Sequence, residues 1–110
     1  MRQSHTAALE LGTTWEGQFA TEPYETAWAS EALFFIRLLE GELPAGTNAH
    51  VQIAPDGIHW VDEGTEITLP TGPDDTTFGR VREFGGWLRL VGELPSGVSL
   101  PVIVHLVLKE

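Results

Sequence analysis

The stretch Gly86-Trp87-Leu88-Arg89-Leu90-Val91-Gly92-Glu93-Leu94-Pro95-Ser96-Gly97 decides the fold. In an extended chain successive side chains point to opposite faces, so Leu88, Leu90 and Leu94 share one side while Trp87, Arg89 and Val91 share the other. The leucine side is the core side, because an Arg is rarely buried unpaired. Leu94-Pro95-Ser96-Gly97 then makes a turn: Pro fixes φ, and Gly takes a conformation that other residues avoid.

A near-copy lies earlier, at Phe35-Ile36-Arg37-Leu38-Leu39-Glu40-Gly41-Glu42-Leu43-Pro44-Ala45-Gly46. Both read aromatic, aliphatic, Arg, Leu, then Gly-Glu-Leu-Pro, a small residue and Gly. Ile36 and Leu38 match Leu88 and Leu90. The first copy has one extra residue before its Gly-Glu, which puts Leu43 on the wrong parity. A β-bulge near Leu39 or Glu40 would return Leu43 to the core. Each copy is followed by another alternating run and reads as a hairpin, so the chain carries an internal hairpin repeat.

The remaining segments are also short and extended. Thr6 to Leu11 reads as a mobile arm or an edge strand within residues 1–12, turned by Gly12-Thr13-Thr14. Trp15 to Phe19 has aromatics of one parity at its ends. Tyr24 to Ser30, crowded by Pro23 and Ser30, reads as strand or irregular. Ala49, Val51 and Ile53 alternate inward, Pro55-Asp56-Gly57 is a turn, and Ile58 to Asp62 returns as the partner strand. After a turn at Glu63-Gly64, Thr65 to Leu69 is a further strand. Pro70 to Thr77 has the length of a crossing between two sheets. Phe78 to Phe84 is a strand, turned by Gly85-Gly86. The last, Pro101 to Leu108, is nearly all apolar and belongs in mid-sheet. No helical period is sustained anywhere. The pattern predicts an all-β, single-domain antiparallel β-sandwich of jelly-roll type over residues 1–110.

Composition narrows the function classes. A chain of 110 residues buries roughly two-thirds of its unfolded surface, enough for a core without staples. It has no Cys, hence no disulfides and no thiolate metal site. Met1 to Thr6 leads into no apolar signal-peptide core, and no apolar run has the length to cross a bilayer; on these grounds the expected location is the cytoplasm. The net charge of -10 disfavours nucleic acid and anionic membranes as main partners.

Catalytic constellations are not legible. His5, His50, His59 and His105 have no metal-pair spacing; His50 and His59 could face each other across the hairpin, as a polar contact or a zinc pair. Glu40, Glu42, Asp62, Glu63, Asp74 and Asp75 fall at turns, where acids are normally solvated. The Asp74-Asp75 loop lacks the spaced oxygen ligands of a calcium loop. No nucleophile elbow or phosphate loop is present. The expectation is no enzyme, no metal and no cofactor, with a small cupin-type enzyme as the weakest reading. The cations say more. Four of them, Arg37, Arg80, Arg82 and Arg89, lie in predicted strands, and Arg37 and Arg89 sit beside Phe35 and Trp87. Arg with exposed aromatics is the composition of an interface hot spot. The expected interface is therefore Phe35, Arg37, Arg80, Arg82, Trp87 and Arg89, a sheet face that attracts an acidic neighbour, including a second copy. Internal pairing with Glu is the competing reading.

Two resemblances follow. Ala54-Pro55-Asp56-Gly57-Ile58-His59-Trp60 resembles the Asp-box hairpins of sialidases, with Ala54 in place of Ser and the Trp one residue early; that motif is structural. Pro55-Asp56-Gly57-x-x-Trp60-x-Asp62-x-Gly64-Thr65, then Phe84-Gly85-Gly86-Trp87-Leu88-Arg89-Leu90 and Leu108-Lys109-Glu110, resemble small β-sandwich proteins of tailed-phage virions and prophage regions. That resemblance implies a structural protein that decorates or cements capsids or joins head to tail. It also implies a homo-oligomer such as a trimer, with itself and a particle-shell protein as partners. The alternative is a carbohydrate-binding module in which Trp15, Trp28, Trp60 and Trp87 supply a stacking platform.

Overall fold

The computed structural model describes residues 3–82 and 84–110, and no helix occurs among them. They form two antiparallel sheets packed face to face. One sheet has the order β1-β9-β4-β7, from β1 (Ser4–Glu16), β9 (Ser99–Lys109), β4 (Glu31–Leu38) and β7 (Thr76–Arg82). The other has the order β2-β8-β5-β6, from β2 (Gln18–Ala20), β8 (Trp87–Glu93), β5 (Asn48–Ala54) and β6 (Val61–Thr68), with β3 (Tyr24–Glu25) also paired to β8. They are called here the β9 sheet and the β8 sheet.

The period-two pattern decides what goes inside. On β4 the buried set is Ala32, Phe34, Ile36 and Leu38; on β9 it is Leu100, Val102, Val104, Leu106 and Leu108. Facing them are Leu88 and Leu90 of β8 with Ala49 and Val51 of β5. Each large side chain among these contributes about 1.5–3 kcal/mol by leaving water. β9 runs between β1 and β4, the mid-sheet place its apolar run demands.

The repeated stretches are real counterparts, but neither is a hairpin. The first leads from β4 in the β9 sheet to β5 in the β8 sheet, and the second leads back from β8 to β9. β4 pairs with β9, and β5 pairs with β8. The two copies are therefore interlocked arches that cross the sandwich in opposite senses. In each arch the Leu plugs the interior, Leu43 and Leu94 both being 3% exposed. The Leu43 N–H donates to the Thr71 carbonyl at 3.0 Å, and the Leu94 N–H donates to the Gly17 carbonyl at 2.8 Å. Gly46 and Gly97 then close the arches at φ +98 and +82, a region that favours glycine.

The expected bulge at Leu39 or Glu40 is absent. β4 keeps an unbroken register with both neighbours and stops at Leu38. The extra residue is taken up outside the strand, where the Leu39 N–H reaches the Pro101 carbonyl at 3.0 Å and Gly41 turns at φ +90. A loop restores parity as well as a bulge does, without costing ladder bonds.

Other expectations are corrected in the same way. Trp15 and Phe19 do not share a strand: the chain crosses between sheets at Gly17 (φ +53), and the two rings stack with centroids 3.9 Å apart. Gly12 lies inside β1 at a register shift, which makes residues 4–16 an edge strand. Gly64 (φ +110) lies inside β6, where the ladder slips between His50 and Gln52; what read as two strands is one. β5 and β6 do form a hairpin, and residues 69–75 do cross between the sheets.

Candidate docking surfaces

The interleaved arches place the repeated Arg residues on opposite outer surfaces. Phe35, Arg37, Arg80 and Arg82 lie on the outer face of the β9 sheet, whereas Trp87 and Arg89 lie on the outer face of the β8 sheet. The single six-residue face expected from the sequence is thus divided. The reason is that β4 and β8, though alike in sequence, belong to different sheets.

The outer face of the β9 sheet is built in rows by its register. Reading from β9 through β4 to β7, they are Lys109, Glu31, Arg82; then Val107, Leu33, Arg80; then His105, Phe35, Phe78; then Ile103, Arg37, Thr76. β1 extends the four rows with Ser4, Thr6, Ala8 and Leu11. The rings of Phe35 and Phe78 stack with centroids 5.8 Å apart, and the Arg80 guanidinium lies 5.1 Å from the Phe78 centroid. Phe78 is 50% exposed and Leu11 73% exposed. A hollow of about 250 Å³ opens between Phe35, Arg37, Thr76, Ile103 and His105. Glu31 and Arg82 approach to 3.7 Å at one end of the face. Phe78, Leu11 and Ile103 belong to this surface although no sequence feature singled them out. Phe78 was legible in principle, as the same parity as Arg80 and Arg82.

The outer face of the β8 sheet is polar and cross-braced. Arg89 donates from Nε and Nη2 to the Gln52 Oε1 atom at 2.9 and 2.7 Å. Gln52 Nε2 donates in turn to Asp62 Oδ1 at 2.9 Å. The Arg89 guanidinium covers the Trp60 ring at 4.3 Å, a half-buried cation–π contact. His50 lies 3.5 Å from Glu66, which also accepts from Asn48. Glu93 accepts from Gln18. An open groove of about 500 Å³ runs between these residues over Val91.

The four Trp residues occupy four settings. Trp15 is buried in the core, Trp28 is 41% exposed, Trp60 lies under Arg89, and Trp87 packs on the Gly57 turn, 3.2 Å from where a Cβ would stand. A sugar-stacking platform needs adjacent free ring faces, and these four do not supply one.

His50 and His59 do not face each other. His50 is opposite Glu66, while His59 sits in the turn before β6. There the Asp56 carboxylate accepts the backbone N–H of His59 at 2.8 Å, the His59 Nδ1 at 2.5 Å and the Ile58 N–H at 2.9 Å. These bonds, the backbone bond from His59 foremost, hold the Asp56 carboxyl well below the usual carboxylate range. Asp75 is likewise engaged locally, accepting from the Gly72 N–H at 3.0 Å. Among the described residues no three His, Asp or Glu side chains gather where they could hold a metal ion.

No protein-family model matches the chain, and no curated protein matches it in sequence. Its fold is similar to that of the SPBc2 prophage-derived protein YomS, with TM-score 0.60 at 5% identity, covering 100% of this chain and 96% of that one. It is also similar to a chain in the structure of infectious bursal disease virus, Gx strain, with TM-score 0.51 at 12% identity; 98% of this chain is covered but only 32% of that one. At these identities the likeness is one of fold: the chain shares its β-sandwich with a prophage-derived protein and a viral protein.

Proposed function

We propose that the protein is a non-enzymatic structural subunit of a virus-type particle, a decoration or head–tail component, and that it docks through the outer face of its β9 sheet. The observation that carries this reading is the stacked Phe35 and Phe78 pair under Arg80, on the same sheet face as exposed Leu11. Aromatic and Arg side chains at the centre of a flat apolar patch are the composition of an interface core, and monomers seldom leave such patches open to water. The two fold neighbours, one prophage-derived and one viral, support the particle setting.

The test is made on particles. Density-gradient-purified particles from the source cell, analysed by mass spectrometry, contain this chain at fixed stoichiometry, and a Phe78→Ser chain is lost from them. Particles that lack the wild-type chain, or that hold the Phe78→Ser chain equally well, would overturn the reading.

A further inference from the structure

We infer that the β9-sheet face of one copy docks on the β8-sheet face of the next, so that the chain assembles head to tail. This rests on the reading of the β9-sheet face as a docking surface and names its occupant.

Charge is sorted between the two faces. The chain has six Lys and Arg against sixteen Asp and Glu. Yet Arg37, Arg80, Arg82 and Lys109, four of the six cations, fall on the outer face of the β9 sheet. Among the described residues the acids set into that face are Glu31, which meets Arg82, and Glu16 at the far end, which accepts from Ser99. The outer face of the β8 sheet is the inverse. Glu25, Asp62, Glu66 and Glu93 lie on it, with the Arg89 guanidinium held along the face by Trp60 and Gln52.

Two β9-sheet faces brought together about a two-fold axis would set one cation-rich face against another, and like charges held face to face oppose association. A β9-sheet face against a β8-sheet face sets four cations against four acids instead, with Phe35 and Phe78 supplying the apolar area. The two faces are on opposite sides of one sandwich, so each docked copy presents the same free face again. An interface of this heterologous kind continues into a ring or a filament.

The experiment is a charge swap on the full-length chain, followed by sedimentation velocity over a concentration series. Wild type associates at about 0.1 M salt without stopping at a pair, and disperses at about 1 M, where screening shortens from about 10 Å to about 3 Å. Arg37→Glu/Arg80→Glu reverses one face, and Glu66→Lys/Glu93→Lys reverses the other. Circular dichroism and melting show both variants folded. Each variant alone is monomeric, its association weakened about a hundredfold or more. An equimolar mixture assembles again beyond the pair, because each reversed face now meets its complement.

Three results overturn the inference. If Glu66→Lys/Glu93→Lys associates like wild type and the mixture stops at a pair, the interface is two-fold between β9-sheet faces. If both variants associate like wild type, the contact does not involve these charges. If wild type is monomeric at every concentration in both salts, the occupant is a different protein; particle retention by wild type and its loss by Phe78→Ser then still sustain the docking reading itself.

Discussion

Gly92→Ala tests the packing that ties the first crossing to the centre of the β8 sheet. Gly92 on β8 pairs with Phe19 on β2, and the Phe19 ring lies across it. A Cβ at Gly92 would stand 2.6 Å from Phe19 Cζ and 2.8 Å from Cε2. The ring has little room to withdraw, because its other face stacks on Trp15, which is 3% exposed. Overpacking of this kind costs about 1–3 kcal/mol, while Gly to Ala in a strand gains about 0.5–1 kcal/mol through the unfolded state. The net expectation is a loss of about 1–2 kcal/mol, or about 4–8 °C in melting temperature for a domain of this size. Urea unfolding followed by Trp fluorescence measures it. Phe19→Leu removes the obstructing ring, so the double variant should be more stable than the two single losses predict, with a coupling of about 1 kcal/mol. A Gly92→Ala midpoint at or above wild type, or a coupling near zero, would refute the picture of a ring clamped between Trp15 and the glycine.

Three further outcomes are expected. Thr77 faces the core from β7, and its Oγ1 is buried with no hydrogen-bond partner among the described residues; the isosteric Thr77→Val should stabilise by about 1 kcal/mol in urea melts, and a loss would mean that the hydroxyl is satisfied. Phe78→Ser, on an exposed site, should cost only about 1 kcal/mol of fold stability through the lost stack with Phe35, yet abolish assembly; equal loss of both would make the residue merely structural. The Asp56 carboxyl, depressed below its ordinary 3.8, contributes stability that is full above that value and fades as pH falls through the lowered folded value. Its NMR carboxyl resonance should therefore still be ionised where free aspartate is half protonated, and Asp56→Asn should flatten that part of the acid-stability profile. A resonance titrating at the ordinary value would show that the turn bonds do not persist in solution.

Alternation and the Leu-Pro-x-Gly motif were enough to read the all-β sandwich, because parity alone assigns Ile36, Leu38, Leu88 and Leu90 to the interior. Which sheet each strand joins was not legible. A Pro-x-Gly turn reverses the chain whether the next strand lies beside the first or across the core. The choice is made by long-range pairing, β4 with β9 and β5 with β8, which no local window contains. The docking residues were half legible for the same reason. Parity showed that Arg37 and Arg89 point outward, but their common surroundings in sequence, Phe35-x-Arg37 and Trp87-x-Arg89, hid that they look in opposite directions. Glycines inside β1 and β6 read as turns in the sequence, since a positive φ serves a bulge and a turn equally.

The position of β9 between β1 and β4 has a consequence for how the protein comes into being. β9 follows both of its neighbours in the chain, so β1 waits for its sheet neighbour and β4 is paired only with β7 until residues 99–109 have left the ribosome. Until then the β4 edge that β9 will cover is an open slot with which another extended apolar segment can pair. Completing translation fills the slot from within, and a chaperone that occupies it meanwhile would have to release before the sandwich can close.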